Sequence, residues 1–211
     1  MYRLLQIDEL QRPEHHFLTP EDDCYYYMEY TSDANFSYSP ANDLISNFKK
    51  SPEFRDQPQW AHKARSIQQI IDILAESLLP ASNLKDVILV PMPPSKIKTH
   101  PHYDDRMMQV LLGLQARDGG IDLREILSCR ENTEPFHVTT NKRSPAKIAR
   151  NLLVDHQHCA GTKNKILLID DVITTGAHFK ACKNKLLEAF PTWTIKGLFI
   201  ARRTFKADGQ R

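Results

Sequence analysis

The run KILLID, residues 165–170, constrains the fold more than any other stretch of this chain. Between its first and last residues it is apolar at every position, without the alternation of a strand that has one wet face. Such a run suits a strand covered on both sides, as in parallel sheets with helices packed on each face. The flanking pattern agrees. DVILVPMPPS (86–95) reads as a buried strand stopped by prolines, and DDRMMQVLLGLQARDG (104–119) as a helix closed by a glycine pair. IDLREILSCRE (121–131) is ambiguous, with strand character in its last part. SPAKIARNLLVD (144–155) reads as a helix with Ser144 as N-cap and Pro145 just inside its start. GAHFKACKNKLLEAF (176–190) reads as a helix and IKGLFIARR (195–203) as a final strand. Alternation of strands and helices from residue 86 onward predicts an α/β fold, a mostly parallel sheet flanked by helices.

Upstream of residue 86 the pattern is less regular. Residues 1–23 carry no clear period. CYYYMEYTS (24–32) reads as a strand, NDLISNFKK (42–50) as a short helix, and WAHKARSIQQIIDILAESLL (60–79) as the longest helix. In that helix Ile67, Ile70, Ile71, Leu74 and Leu78 recur at helical spacing. A length of 211 residues suits one α/β domain with a small appendage. The expected division is an N-terminal hood or appendage over 1–58 and an α/β core over 59–211.

The chemistry concentrates where the apolar run ends, in DDVITTGA (170–177). In open α/β sheets, ligands sit at the carboxyl ends of the strands. A turn into a helix presents free backbone N–H groups and a partial positive charge, which suits a phosphate. Thr174 and Thr175 add hydroxyl donors, and Gly176 permits a tight turn and close backbone approach. Asp170 and Asp171 are acceptors and suit a sugar diol. Either half alone would be an ordinary strand end or an ordinary helix cap. Joined in this order they describe a ribose 5-phosphate pocket.

The stretch ILLIDDVITTGAHF resembles the phosphoribosyl pyrophosphate (PRPP) motif of the type I phosphoribosyltransferases. By that resemblance Asp170 and Asp171 are the catalytic carboxylates on the ribose hydroxyls, and they meet Mg²⁺ indirectly through PRPP. Val172, Ile173, Thr174, Thr175, Gly176 and Ala177 form the 5-phosphate loop. Looser similarities point to the ComF-like branch: NFSYSPANDLISNFKK, the Val-Pro-x-Pro loop VPMPPSK with the following YDDRMMQVL, and RSPAKIARNL. Together the resemblance spans about residues 25–203. That branch usually carries an N-terminal cysteine cluster. This chain has only Cys24 there, so a role in DNA uptake does not carry over.

The implied reaction is transfer of ribose 5-phosphate from PRPP to a base-like acceptor, with Mg²⁺ as cofactor and release of pyrophosphate. The departing anion needs cationic neighbours. Ser95 and Lys96, in the loop after the first buried strand, are candidate pyrophosphate contacts. Lys142 and Arg143 are two more, in a polar stretch (139–147) that matches the family's mobile loop. Each segment also reads as an ordinary solvated loop. Arg106 could reach the same anion, or be an exposed helix arginine. Arg150 and Asn151 match the branch motif without a stated role. The aromatics Tyr25, Tyr26, Tyr27 and Tyr30 suit a hood over a base or a half-buried strand.

Other functions find less support. There is no Walker A lysine motif and no GxGxxG. His156, His158 and Cys159, or His100 and His102, lack the further ligands of a usual metal set. The four cysteines are widely spaced, which argues against a zinc ribbon or disulfide framework and for a reduced, cytoplasmic setting. No apolar stretch is long enough to span a membrane, and MYRLLQIDELQRPEHH does not resemble a secretory signal. A net charge of +2 lends little support to nucleic-acid binding, which remains an expectation of the ComF resemblance alone. Type I phosphoribosyltransferases often form dimers, so a homodimer is expected on the same ground. The competing reading is a PRPP- or nucleotide-binding sensor that has lost turnover.

Overall fold

The structure is a computed structural model that describes residues 2–81, 84–132, 144–159, 161 and 163–206. The strands are β1 (Leu5–Gln6), β2 (Cys24–Thr31), β3 (Val87–Pro91), β4 (Asp122–Leu123), β5 (Leu127–Cys129), β6 (Leu152–Val154), β7 (Lys165–Ile173) and β8 (Thr194–Thr204). The helices are α1 (Pro40–Phe48), α2 (Trp60–Leu78), α3 (Arg106–Arg117), α4 (Pro145–Arg150) and α5 (Ala177–Ala189), with short 3-10 turns between elements.

Six strands form one sheet in the order β1-β2-β8-β7-β3-β4. β2, β8, β7, β3 and β4 run parallel to their neighbours, and only β1 is antiparallel. β5 and β6 pair antiparallel as a separate ribbon. The chain is therefore an α/β protein with a mostly parallel sheet, as the alternation of elements predicts. β1 and β2, from the segment expected to form a hood, are strands of this same sheet. Tyr26 and Tyr27 are buried in it, Tyr27 hydrogen-bonded to Ser77, so these aromatics build the core and do not roof a cleft.

β7 is central, and its side chains feed two cores, alternating through Ile169 and slipping by one residue at Val172. On one face Leu167, Ile169 and Val172 join Leu44, Ile45 and Phe48 of α1, Ile70 and Leu74 of α2, and Val110 and Leu111 of α3. On the other, Ile166, Leu168 and Ile173 meet Phe179, Cys182 and Leu186 of α5, together with Leu127, Leu152 and the N-terminal Ile7 and Leu18. Each fully buried aliphatic side chain contributes about 1.5–3 kcal/mol, so both faces of β7 must stay covered.

Three elements differ from their sequence patterns. β7 does not stop at Asp170. It runs to Ile173, because Val172 and Ile173 are β-branched and keep pairing with Ala201 and Arg202 of β8. The helix expected over 144–155 ends at Arg150. Ser144 caps it as predicted, accepting from the Lys147 N–H, but residues 152–154 leave the helical pattern to pair with β5 as β6. The helix beginning at 104 starts two residues later, at Arg106, because both aspartates stay outside it.

Candidate functional site

β3 ends at Pro91, where Pro93 and Pro94 follow and cannot extend a ladder. β7 continues past that point. The step between them, at the carboxyl edge of the sheet, is an open cleft of about 400 Å³, the solvent at its mouth included. Its walls come from Pro91–Pro94, from Tyr103–Met108 at the start of α3, and from Glu125, Leu127 and Asp170. Apolar and aromatic surface alternates there with carboxylates and one guanidinium, Arg106.

The continuation of β7 splits the two aspartates. As neighbours on a strand they point to opposite faces. Asp170, half-buried, lines the cleft, and its Oδ2 lies 3.1 Å from His178 Nδ1 on α5. Asp171 points to the α1/α3 face and is 4% exposed. Its Oδ2 accepts from Arg106 Nε at 3.0 Å and Nη2 at 2.5 Å. Its Oδ1 accepts from its neighbour Val172 N–H at 2.6 Å and lies 3.1 Å from Lys49 Nζ. Arg106 also donates to Asp104, which in turn holds Lys63, a side chain only 1% exposed. Burial pushes the Asp171 carboxyl upward, but Lys49 and Arg106 outweigh it and hold it well below the usual carboxylate range. Arg106 is raised above its ordinary value by Asp171 and Asp104 in spite of its burial. The pair ties β7 to α1 and α3 through charges kept ionised.

The turn after β7 opens α5. Gly176 is its N-cap residue with φ 81°, a left-handed conformation, and Leu18 side-chain atoms lie 2.9 Å from where a Cβ would stand. Glycine is required there on both counts. The turn is held from behind by a segment that shows no periodicity in the sequence. His15 Nδ1 donates to the Thr174 carbonyl, and Phe17 N–H donates to the Thr175 carbonyl at 3.0 Å. In a trans peptide the N–H points away from its C=O. Tying these two carbonyls to the N-terminal segment therefore turns the Thr175 and Gly176 N–H groups the other way. Further along, Asp22 accepts from Lys180 at 2.5 Å and Lys183 at 2.6 Å, fastening the segment to α5. His15 is fully buried, its Nε2 has no hydrogen-bond partner among the described residues, and burial lowers its pKa against the pull of the Thr174 carbonyl. His178 is held above its ordinary value, against burial, by Cys182 and Asp170.

Of the residues singled out in the sequence, Asp170, Asp171 and the turn 174–177 come together at the carboxyl edge. Val172 and Ile173 do not belong to the turn; they are buried strand residues, since β7 extends through them. Ser95 and Lys96 follow the cleft wall Pro91–Pro94, with Ser95 exposed and Lys96 half-buried. Lys142 and Arg143 lie outside the described residues. Arg150 ends α4 and is exposed, while Asn151 bridges to Glu131 through the Glu131 N–H and carbonyl, a structural role. Sequence reasoning misses Lys49, Lys63, Asp104, His15 and His178. Lys49, Lys63 and His15 meet partners far away in the chain, and nothing local marks them.

Asp105 and Asp170 both line the cleft. Carboxylates are the donors Mg²⁺ prefers, and this ion draws its other ligands from water and substrate phosphates, so the lining fits Mg²⁺ arriving with an anionic ligand. Among the described residues no helix is long and apolar enough to cross a membrane.

What fold and cleft define is a class: an α/β protein with a polar cleft at the carboxyl edge of a mostly parallel sheet. No protein-family model matches the chain, and a search of curated proteins returned no match.

Proposed function

We propose that the protein is a PRPP-dependent phosphoribosyltransferase that transfers ribose 5-phosphate to a base-like acceptor. The observation that carries this reading is the junction of β7 and α5. There a half-buried carboxylate, Asp170, stands at a cleft and is followed by a left-handed glycine that opens a helix. The N–H groups of the turn, with the Thr174 and Thr175 hydroxyls, hold the 5-phosphate. Asp170 accepts from the ribose hydroxyls, and its charge favours the oxocarbenium-like ring of the transition state. Arg106, with Ser95 and Lys96, faces the pyrophosphate. An acceptor nitrogen donates its lone pair to C1 of the ribose as the C1–O bond breaks. Pyrophosphate leaves with that electron pair, and the acceptor gives up a proton to solvent. Mg²⁺, when bound, neutralises charge on the leaving pyrophosphate.

One observation favours a second reading, a PRPP-binding regulator without turnover. Both Asp171 oxygens are already occupied by Arg106, Lys49 and the Val172 N–H. The two readings separate in an assay of pyrophosphate release with PRPP, Mg²⁺ and a panel of nucleobases. The transferase reading expects turnover with at least one base and its loss, by a hundredfold or more on the scale of a lost transition-state contact of about 3 kcal/mol, in Asp170→Asn. Binding of PRPP with no release for any base supports the regulator.

A further inference from the structure

We propose that Lys49 is a ligand-binding residue of this site that changes partners, leaving Asp171 for an anionic group of the ligand while a sugar hydroxyl takes its place on Asp171 Oδ1. The proposal rests on the phosphoribosyl reading. Asp171 can accept a hydroxyl only if one of its present donors withdraws. The Val172 N–H is fixed by the backbone of β7. Arg106 is held by two carboxylates, donating to Asp171 through Nε and Nη2 and to Asp104 through Nη1, and its side chain is 20% exposed. Lys49 makes a single contact with Asp171, the longest of the four at 3.1 Å, and its side chain is 43% exposed. It follows the last residue of α1 and ends in a flexible four-carbon stem that swings its ammonium without moving the helix.

The charges support the same partner. The network contains two carboxylates, Asp171 and Asp104, and three cations, Arg106, Lys63 and Lys49. When Lys49 withdraws, Arg106 and Lys63 still balance both carboxylates, and no buried charge is stranded. The surplus positive charge is the exposed one. A ligand that carries both a hydroxyl and phosphate groups supplies a substitute for each side of the broken pair, so the exchange conserves ion pairing. A neutral sugar would fill Oδ1 and leave the ammonium without a partner.

Calorimetric titration of PRPP with Mg²⁺ into the native chain, Lys49→Met and Lys49→Arg tests this. The expected result is binding about tenfold weaker or more in Lys49→Met, the scale of one charge-assisted contact, with recovery to within about threefold of native in Lys49→Arg. The dependence of affinity on salt should be shallower in Lys49→Met, a change that a merely structural lysine would not produce. Unliganded thermal midpoints, measured alongside, check that each variant stays folded, since Lys49 is exposed but its partner Asp171 is buried. Native-like PRPP binding by Lys49→Met, or Lys49→Arg as weak as Lys49→Met, overturns the role of Lys49 and leaves the phosphoribosyl reading standing. Failure of the native chain to bind PRPP overturns that reading and this proposal with it.

Discussion

Asp170 and Asp171 are adjacent in sequence and a single peptide apart, yet they meet different parts of the molecule. Strand alternation sends Asp170 toward α5 and the cleft, and Asp171 toward α1 and α3, where it is neutralised by two cations. The carboxylate that lines the cleft is therefore Asp170. The residue that holds three elements together is Asp171. Gly176 is constrained in the same way at the turn: its φ of 81° and the Leu18 side chain 2.9 Å from a notional Cβ both disfavour any side chain there. Gly176→Ala should destabilise the fold by about 1–2 kcal/mol from the left-handed conformation alone, with the Leu18 clash adding to it. Urea unfolding measures that loss directly, and an unchanged midpoint would mean that the turn relaxes freely.

At the scale of elements, the N-terminal segment is a brace for the β7–α5 turn. His15 takes part only as a neutral imidazole, since Nδ1–H is spent on the Thr174 carbonyl and Nε2 has no acceptor facing it among the described residues. Its folded-state pKa lies below the unfolded value of about 6.5. Between those two values the unfolded chain binds more protons, so stability from this group is complete above about pH 6.5 and declines as pH falls below it. His178 acts in the opposite sense, its raised pKa giving stability that is lost only on going to higher pH. Stability of the native chain minus that of His15→Gln, measured by urea unfolding at pH 5.5 and 7.5, should shrink at the lower pH. A difference that is flat across that range would contradict the brace. How much of this was legible beforehand depended on whether the signal was local. The apolar run of β7, the proline stop of β3 and the Ser144 cap of α4 are written in neighbouring residues, and those elements begin within a residue of where expected. The end of β7 is hidden in the sequence because two aspartates look like a strand terminus, while the β-branched Val172 and Ile173 beyond them carry the pairing onward. Residues 152–154 read as helix because LLV fits either period until β5 supplies a partner. The contacts of His15 with Thr174, and of Lys49 and Arg106 with Asp171, join segments far apart in the chain and leave no periodic trace.

For the molecule as a whole, the sheet order puts the carboxyl ends of β7 and β3 side by side, and the early stop of β3 makes the cleft between them. Cleft, Asp170 and the opening of α5 then share one edge, which is the arrangement a ribose-phosphate ligand requires. The most direct test of that account is calorimetric titration of PRPP with Mg²⁺ into the native chain and Asp170→Asn, with thermal midpoints measured alongside. The account predicts saturable binding by the native chain and a loss of tenfold or more in a variant that stays folded, because the diol acceptor has lost its charge. No binding by the native chain, or equal binding by Asp170→Asn, would contradict it.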